Sequence, residues 1–185
     1  MTELGLAKKI ERLHAGLQRA SIPHAFGGAL ALAYYATPRV TIDIDVNVFV
    51  SPDLYRSVSG VLRRMGVTNV PESPDVALNG QVRIWWESTP IDLFFSYDEI
   101  HEAMRSAVRD VAFGSKTIPI LGPEHLIVAK AVFDRSKDWL DIEEMLIALD
   151  DVDVDEVKRW LFHLAGERDA RTKRFLSLAE HLRGR

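Results

Sequence analysis

The sequence predicts an α/β core over residues 1–120, followed by a helical C-terminal region over residues 121–185 that packs on this core. Up to about residue 120, segments in which apolar residues alternate as in strands follow segments in which they are spaced as in helices. Beyond Gly122-Pro123 only helical spacing remains. A chain of 185 residues is long enough for about one domain with an addition, and it contains no internal repeat.

The first half of the core alternates helices with one strong strand. An amphipathic helix covers residues 2–20, and a glycine turn feeds a short apolar helix within residues 25–36. Residues 40–50 give the clearest strand pattern, because apolar and polar residues alternate there. A helix capped by serine follows over residues 51–65, and residues 71–80 are loop-like.

The second half of the chain changes from strands to helices. The core is completed by two strands, a helix and a small hairpin, at residues 81–87, 90–96, 98–106, 109–113 and 116–120. The C-terminal region contains four predicted helices, at residues 123–134, 138–149, 153–164 and 168–182.

Composition excludes several classes of protein. Hydrophobic residues make up 47% and charged residues 27%, as in ordinary soluble proteins, and no apolar stretch is long enough to span a membrane. Without cysteines the chain has no disulfide, thiolate metal site or cysteine nucleophile. A net charge of −4 argues against coating nucleic acid by charge alone. With no secretory signal at the N-terminus, we expect a cytoplasmic protein.

Two aspartates lie two residues apart on the clearest strand. Asp43 and Asp45 leave the same strand face, while Ile42, Ile44 and Val46 are expected to fill the core. Adjacent carboxylates repel each other, and a divalent cation relieves that repulsion. Oxygen ligands suit Mg²⁺ or Mn²⁺. The alternative is a half-exposed strand whose polar residues simply face water.

Two further features flank this aspartate pair. Gly27 and Gly28 lie upstream at the start of a helix, where backbone without side chains allows a phosphate to approach. Asp92 is a single acid inside another apolar strand, and it completes a carboxylate triad if the two strands are neighbours. The alternative for the glycine pair is an ordinary turn, and the alternative for Asp92 is an aspartate that faces solvent.

These features together resemble a known superfamily. The segment HAFGGALALAYYATPRVTIDIDVNVFV resembles the GG…RxTxDhDh signature of the nucleotidyltransferase (DNA polymerase β-like) superfamily, and TPIDLFF is similar to its third-acid strand. The segment LGPEHLIVAKAVFDRSKDWLDIEEML resembles the K…R-x-KD-x-x-D helix of AbiEii-type nucleotidyltransferase toxins. The resemblance spans about residues 22–150 and implies a mixed sheet flanked by helices.

The resemblance also implies an activity. The chain would transfer a nucleoside monophosphate from an NTP to a hydroxyl acceptor and release pyrophosphate. Asp43, Asp45 and Asp92 would be catalytic and would bind Mg²⁺ or Mn²⁺, with Asp92 activating the incoming hydroxyl. Gly27 and Gly28 would hold the triphosphate.

Further nucleotide-binding residues implied by the resemblance are Arg39, Thr41, Lys130, Arg135 and Asp138. The first two would steady the aspartate strand, and the lysine would reach nucleotide phosphates. The alternative for the later group is a solvated helix face with ion pairs at i,i+4 spacing, Lys130 with Asp134 and Lys137 with Asp141.

The resemblance further implies the toxin of a toxin–antitoxin pair, with an antitoxin protein as partner. The acceptor stays open between tRNA, a protein hydroxyl and a small molecule. From Lys158 to Arg185 there are eight Lys or Arg residues against three acids, which favours an RNA backbone. A solvated terminal helix is the alternative explanation.

Two other functions stay open. Ala29 replaces the Ser or Thr that usually follows the glycine pair in the toxins, so a hydroxyl expected near a phosphate is missing. A catalytically weak or inactive binding protein with the nucleotidyltransferase fold is therefore one alternative. A glycosyltransferase that uses its D-x-D pair to bind a nucleotide sugar is the other.

Overall fold

The computed structural model describes residues 3–72 and 80–183 and has an α/β fold with a helical C-terminal region. Its strands are β1 (His24–Phe26), β2 (Ile44–Val48), β3 (Gln81–Trp86), β4 (Thr89–Phe95), β5 (Arg109–Phe113) and β6 (Lys116–Ile120). Its helices are α1 (Leu6–Arg19), α2 (Gly28–Leu32), α3 (Tyr55–Arg64), α4 (Glu99–Ser106), α5 (Pro123–Phe133), α6 (Ser136–Ala148), α7 (Val154–Leu164) and α8 (Ala170–Arg183). A short 3-10 turn at Pro52–Leu54 precedes α3.

The six strands form one mixed sheet in the order β3-β4-β2-β1-β6-β5. The β1/β2, β3/β4 and β5/β6 pairs are antiparallel, whereas β2/β4 and β1/β6 are parallel. Phe26 of β1 is in register with Ile120 of β6, and the Leu121 amide donates to the Phe26 carbonyl at 2.9 Å. The fold class predicted from the sequence, including the mixed sheet, is confirmed.

Internal contacts divide the chain into two compact units. The first contains residues 40–121 and the chain up to residue 30, so it holds the whole sheet. The second contains residues 31–39 and 122–185, and it includes α5 to α8. Within residues 3–72 and 80–183, no helix is both long enough and apolar enough to cross a membrane.

The core of the first unit is formed by alternate strand residues and by the apolar faces of two helices. Burying such side chains contributes about 1.5–3 kcal/mol each. The fully buried side chains of these elements include Leu13, Leu17, Ile44, Leu62, Ile84, Ile91 and Leu93. The helix predicted over residues 2–20 is thus confirmed, with the ends of α1 a few residues inside that range.

The strand predicted over residues 40–50 is shorter than expected. Only Ile44–Val48 is a strand, and Asp43 lies immediately before it. Val40 and Ile42 are 95% and 66% exposed, so the expectation that Ile42 fills the core is wrong. The alternation continues through residues 40–43, but the register of β2 with β4 begins at Ile44, so that segment pairs with no strand in the described part of the chain.

The glycine region also differs from the prediction. Residues 24–26 form strand β1, which the sequence did not indicate because three residues are too few to show alternation. The apolar helix expected within residues 25–36 is only the five residues of α2. Most of the loop predicted at 71–80 lies outside the described residues.

A buried lysine fastens the β3–β4 hairpin to α1. Lys9 Nζ donates to the Trp86 carbonyl and to Thr89 Oγ1, both at 2.9 Å. The same ammonium lies 2.9 Å from a Glu3 oxygen and 3.0 Å from a Glu87 oxygen. A fully buried ammonium is tolerated because acceptors surround it. Lys9 thereby fixes the turn of the hairpin that carries the candidate site.

Candidate functional site

The register of two parallel strands places two predicted site residues side by side. Asp45 of β2 is the Cα partner of Asp92 of β4. Residues in register share a sheet face, so both carboxylates leave the sheet on the same side. Asp43 lies two residues before Asp45 at the entry to β2, and all three residues are neither fully buried nor fully exposed. The structure therefore brings together the strand aspartates that the sequence only suggested were neighbours.

Arg83 holds Asp92 in a two-point ion pair, and sequence reasoning did not find it. Its Nε and Nη2 atoms donate to the two carboxylate oxygens of Asp92 at 2.7 and 2.6 Å. The pKa of Arg83 is raised first by these hydrogen bonds, and the charges of Asp92, Asp43 and Asp45 raise it further. All three carboxylates therefore act on one guanidinium group, which offsets part of their mutual repulsion.

No sequence signal could identify Arg83 as this partner. Arg83 is in register with Asp92 across the antiparallel β3/β4 pair, and that register is known only from the structure. Alternation along β3 does place Trp85 on the same face as Arg83. The two successive tryptophans occupy opposite faces: Trp86 is buried, whereas Trp85 is 42% exposed.

The glycine pair fits closely around Asp45. Gly28 has a φ of +53°, which is in the left-handed region, and a Cβ at this position would overlap the Asp45 carboxylate. The Gly27 amide donates to the Asp45 carbonyl at 2.9 Å. A Cβ on Gly27 would lie 3.1 Å from Asn47 Nδ2. The pair therefore fixes the position of Asp45, and the Gly27 amide is already used within the protein.

We expect Gly28→Ala to displace the Asp45 carboxylate and to destabilise the first unit. The left-handed conformation alone costs an alanine about 1–2 kcal/mol, and the overlap with Asp45 adds to this. Gly114→Ala is the matched control, because Gly114 has a φ of +57° with only Glu11 Oε1 at 4.0 Å. Thermal unfolding of both variants separates backbone strain from overlap. Equal losses of stability would show that Asp45 does not need the space at Gly28.

A second group of predicted residues forms an ion network in the second unit. Lys130 Nζ lies 2.6 Å from Asp141 Oδ2 and 3.9 Å from Asp138 Oδ1. Arg39 Nη2 donates to Asp141 at 3.2 Å, and Arg135 donates to both oxygens of Asp138 at 2.6 and 3.1 Å. Lys130, Asp138 and Asp141 are all buried. The network therefore links α5, α6 and the segment preceding residue 40.

This network corrects the expected helical ion pairs. Asp141 contacts Lys130 and Arg39 rather than Lys137, and Asp134 accepts a hydrogen bond from Trp139 Nε1 at 2.7 Å. Tertiary partners replace the i,i+4 partners because Asp141 lies on the buried face of α6. A signal for Asp141 was available, since it is the last residue of the K…R-x-KD-x-x-D pattern.

The two residues predicted to steady the aspartate strand have different partners in the structure. Thr41 Oγ1 accepts a hydrogen bond from the Asp43 amide at 3.2 Å, so it contacts the strand entry directly. Arg39 belongs to the second unit, where it binds Asp141. Nucleotide-binding roles for both residues, and for Lys130, Arg135 and Asp138, stay predictions.

The predicted metal site has suitable donors but is not assembled. Among residues 3–72 and 80–183, no group of three or more His, Asp or Glu side chains is arranged to hold a metal ion. Asp92 is instead engaged by Arg83. Asp43, Asp45 and Asp92 offer only oxygen donors, which is the chemistry that Mg²⁺ and Mn²⁺ prefer. These three carboxylates fit such an ion provided that Asp92 releases Arg83 and binds the metal instead.

The mixed six-stranded sheet, its flanking helices and the helical C-terminal region make up the nucleotidyltransferase-like α/β fold. The antibiotic-resistance factor ANT(2'')-Ia in solution is 15% identical, with a TM-score of 0.61 over 97% of each chain. A nucleotidyltransferase-like protein from Paracoccidioides brasiliensis is 15% identical, with a TM-score of 0.53 over 92% of each chain. The lincosamide adenylyltransferase LnuA is 13% identical, with a TM-score of 0.52 over 75% of this chain and 94% of its own.

By sequence, the chain matches no known protein-family profile and no curated protein. At identities this low, the structural likeness establishes the fold alone. The closer resemblance to AbiEii-type toxins stays a prediction.

Proposed function

We propose that this chain is a metal-dependent nucleotidyltransferase, which moves a nucleoside monophosphate from an NTP to a hydroxyl acceptor and releases pyrophosphate. The observation that carries the proposal is the placement of Asp45 beside Asp92, with Gly28 against the Asp45 carboxylate, in a nucleotidyltransferase-like fold. Paired strand carboxylates provide metal ligands, and the glycine turn beside them carries no side chain that would obstruct a phosphate.

Each residue of the cluster has a distinct role in this proposal. Asp43, Asp45 and Asp92 would hold Mg²⁺ or Mn²⁺, and Asp92 would accept the proton of the attacking hydroxyl. When bound, the ions supply charge neutralisation for the attacking and leaving oxygens of an in-line displacement. Gly28 leaves the room that the Asp45 carboxylate occupies, and Gly27 and Gly28 would hold the triphosphate. The protein's work is mainly to position and neutralise charge.

The Arg83–Asp92 pair predicts a measurable competition with metal. We expect Arg83→Gln to bind Mn²⁺ about fivefold more tightly, because a half-exposed ion pair contributes about 1 kcal/mol that metal binding must otherwise disrupt. Arg83→Lys keeps the charge but not the two-point geometry, and it separates the two effects. Electron paramagnetic resonance of free Mn²⁺ measures the affinity. An unchanged affinity in Arg83→Gln would show that Arg83 does not restrict Asp92.

The proposed acceptor is a hydroxyl group, and the two sources compared are a small molecule and tRNA. One structural neighbour is ANT(2'')-Ia in complex with adenylyl-2''-tobramycin, and another is LnuA with bound lincomycin. Among the cations that favoured RNA, Arg171 makes a two-point pair with Asp169, and Arg174 stacks over the Trp139 ring at 4.4 Å. These internal contacts favour a small-molecule hydroxyl over tRNA. A cytoplasmic toxin with an antitoxin partner remains our proposal from the sequence resemblance.

The test is a transfer assay with each of the four NTPs labelled at the α-phosphate. The acceptors are total tRNA, tobramycin and lincomycin, with Mg²⁺ or Mn²⁺ present and with EDTA as the metal-free control. We expect labelled acceptor with one NTP and none with EDTA. Nucleotide binding without transfer would favour the inactive binding protein. A parallel reaction supplies a nucleotide sugar in place of the NTP, and turnover in that reaction alone would favour a glycosyltransferase.

A further inference from the structure

A basic groove lies between α1 and α3 in the first unit, and it includes none of the carboxylate cluster. Its main cavity has a volume of about 460 Å³. A neighbouring cavity of about 320 Å³ shares Arg19, Arg64 and Met65 with it and continues along the seam of the two helices. The charged residues that line the main cavity are Lys8, Arg12, Arg19, Arg64, Lys116 and Glu11.

The groove concentrates positive charge in a chain whose net charge is −4. Five cations surround one carboxylate, and Lys8 donates to that Glu11 carboxylate at 2.8 Å. The pKa of Glu11 is lowered first by this hydrogen bond, and the charges of Lys8 and Lys116 lower it further. Arg12, Arg19 and Arg64 have no ion-pair partner within residues 3–72 and 80–183. An anion in the groove would relieve their mutual repulsion.

Small residues line part of the groove. Gly16 lies so close to Met65 that a Cβ at this position would overlap the Met65 sulfur. Ala15 and Ala20 also line the two cavities, together with the cationic side chains. From Lys8 to Arg19 the helix rises about 16 Å at 1.5 Å per residue. A groove of this length is suited to a chain of anionic groups rather than to a single anion.

We propose that this groove binds the phosphodiester backbone of single-stranded RNA. Three of its cations are arginines, whose planar donor forks match phosphate oxygens in two-point geometry. Ala15 and Met65 give the main cavity an apolar part that a ribose can contact. A row of charges beside apolar residues suits a nucleotide chain better than a purely charged polymer. This inference does not depend on the proposed transfer activity.

The proposal sets a salt dependence that can be measured. For single strands, the logarithm of the binding constant falls with the logarithm of salt concentration by about 0.7 per phosphate contact. Lys8 is not counted as a phosphate contact, because it is paired with Glu11. The four remaining cations, Arg12, Arg19, Arg64 and Lys116, give a slope of about −3. Raising KCl fourfold should therefore weaken binding about fiftyfold.

The experiment uses fluorescence anisotropy of a labelled 12-nucleotide oligo-U RNA between 50 and 200 mM KCl, a range in which such contacts are sensitive to salt. The test variant combines Arg12→Gln, Arg19→Gln and Arg64→Gln, and its slope should fall to about −0.7. The matched control removes the same charge outside the groove, with Arg56→Gln, Arg105→Gln and Lys137→Gln. We expect the control to keep the wild-type slope, because none of its residues lines the groove.

Three results would overturn the proposal. The wild-type chain could bind no RNA at the lowest salt, or the groove variant could keep the wild-type slope. Poly-glutamate could also displace the RNA as well as inorganic polyphosphate of equal charge does, which would indicate an acidic protein segment as the partner. If the triple variant is less stable in thermal unfolding, Arg19→Gln alone replaces it, with an expected slope change of about 0.7.

Discussion

Replacing Asp45 by asparagine is expected to abolish nucleotidyl transfer and to leave the fold intact. Asp45 lies beside Asp92 on the neighbouring strand, and its carboxylate is adjacent to Gly28. Metal ions stabilise the charge of the transition state by several kcal/mol, and each 1.36 kcal/mol is a factor of ten in rate. Weakening the metal site should therefore lower kcat by about a thousandfold or more.

Stability gives the independent readout for this variant. Asp45→Asn removes one of three clustered negative charges, so its thermal midpoint should be unchanged or higher. Asp110→Asn, at an exposed position of β5, is the control and should keep normal transfer. Near-normal transfer by Asp45→Asn would remove the basis for a metal-dependent reaction at this cluster. Loss of both transfer and folding would instead indicate a structural role for the carboxylate.

Breaking the buried network of the second unit should produce the largest loss of stability. In Asp141→Asn, the Asp138 oxygen at 3.9 Å is the one carboxylate partner that the buried Lys130 ammonium keeps among residues 3–72 and 80–183. Removing one partner of a buried ion pair typically costs about 3–5 kcal/mol, because the other charge stays buried. We therefore expect a loss of this size in urea-induced unfolding.

A double variant distinguishes a structural network from a nucleotide site. Lys130→Met combined with Asp141→Leu removes both charges, and much of the lost stability should return. Arg39 is only partly buried and can reach water when Asp141 is gone. If Lys130 instead serves mainly to bind phosphate, Lys130→Met should weaken NTP binding while urea-induced unfolding hardly changes. That result would contradict the structural assignment.

Local patterns in the sequence predicted the elements well. The helix of α1, the two strands that carry Arg83 and Asp92, and the four C-terminal helices all occur close to the expected positions. Each of these follows from the periodicity of apolar residues over six or more positions. The sequence also predicted that Asp45 and Asp92 meet, but only if their two strands are neighbours in the sheet.

What the sequence could not supply is the partner of each charge. Arg83 meets Asp92 only because of the β3/β4 register, and Lys130 meets Asp141 because α5 and α6 pack together. The exposed segment at Val40 and Ile42 shows the same limit, since its alternation continues before Ile44, where the pairing of β2 with β4 begins. Periodicity identifies the face of an element but not the residue that it meets.

The pairing of β1 with β6 has a consequence for biosynthesis. In the sheet, β6 is the neighbour on one edge of β1, and their register pairs Phe26 with Ile120. While the ribosome makes the intervening residues, that edge keeps unpaired amide and carbonyl groups that can associate with another chain. A nascent chain halted before β6 should therefore aggregate or recruit chaperones, whereas one released after residue 121 can close its sheet.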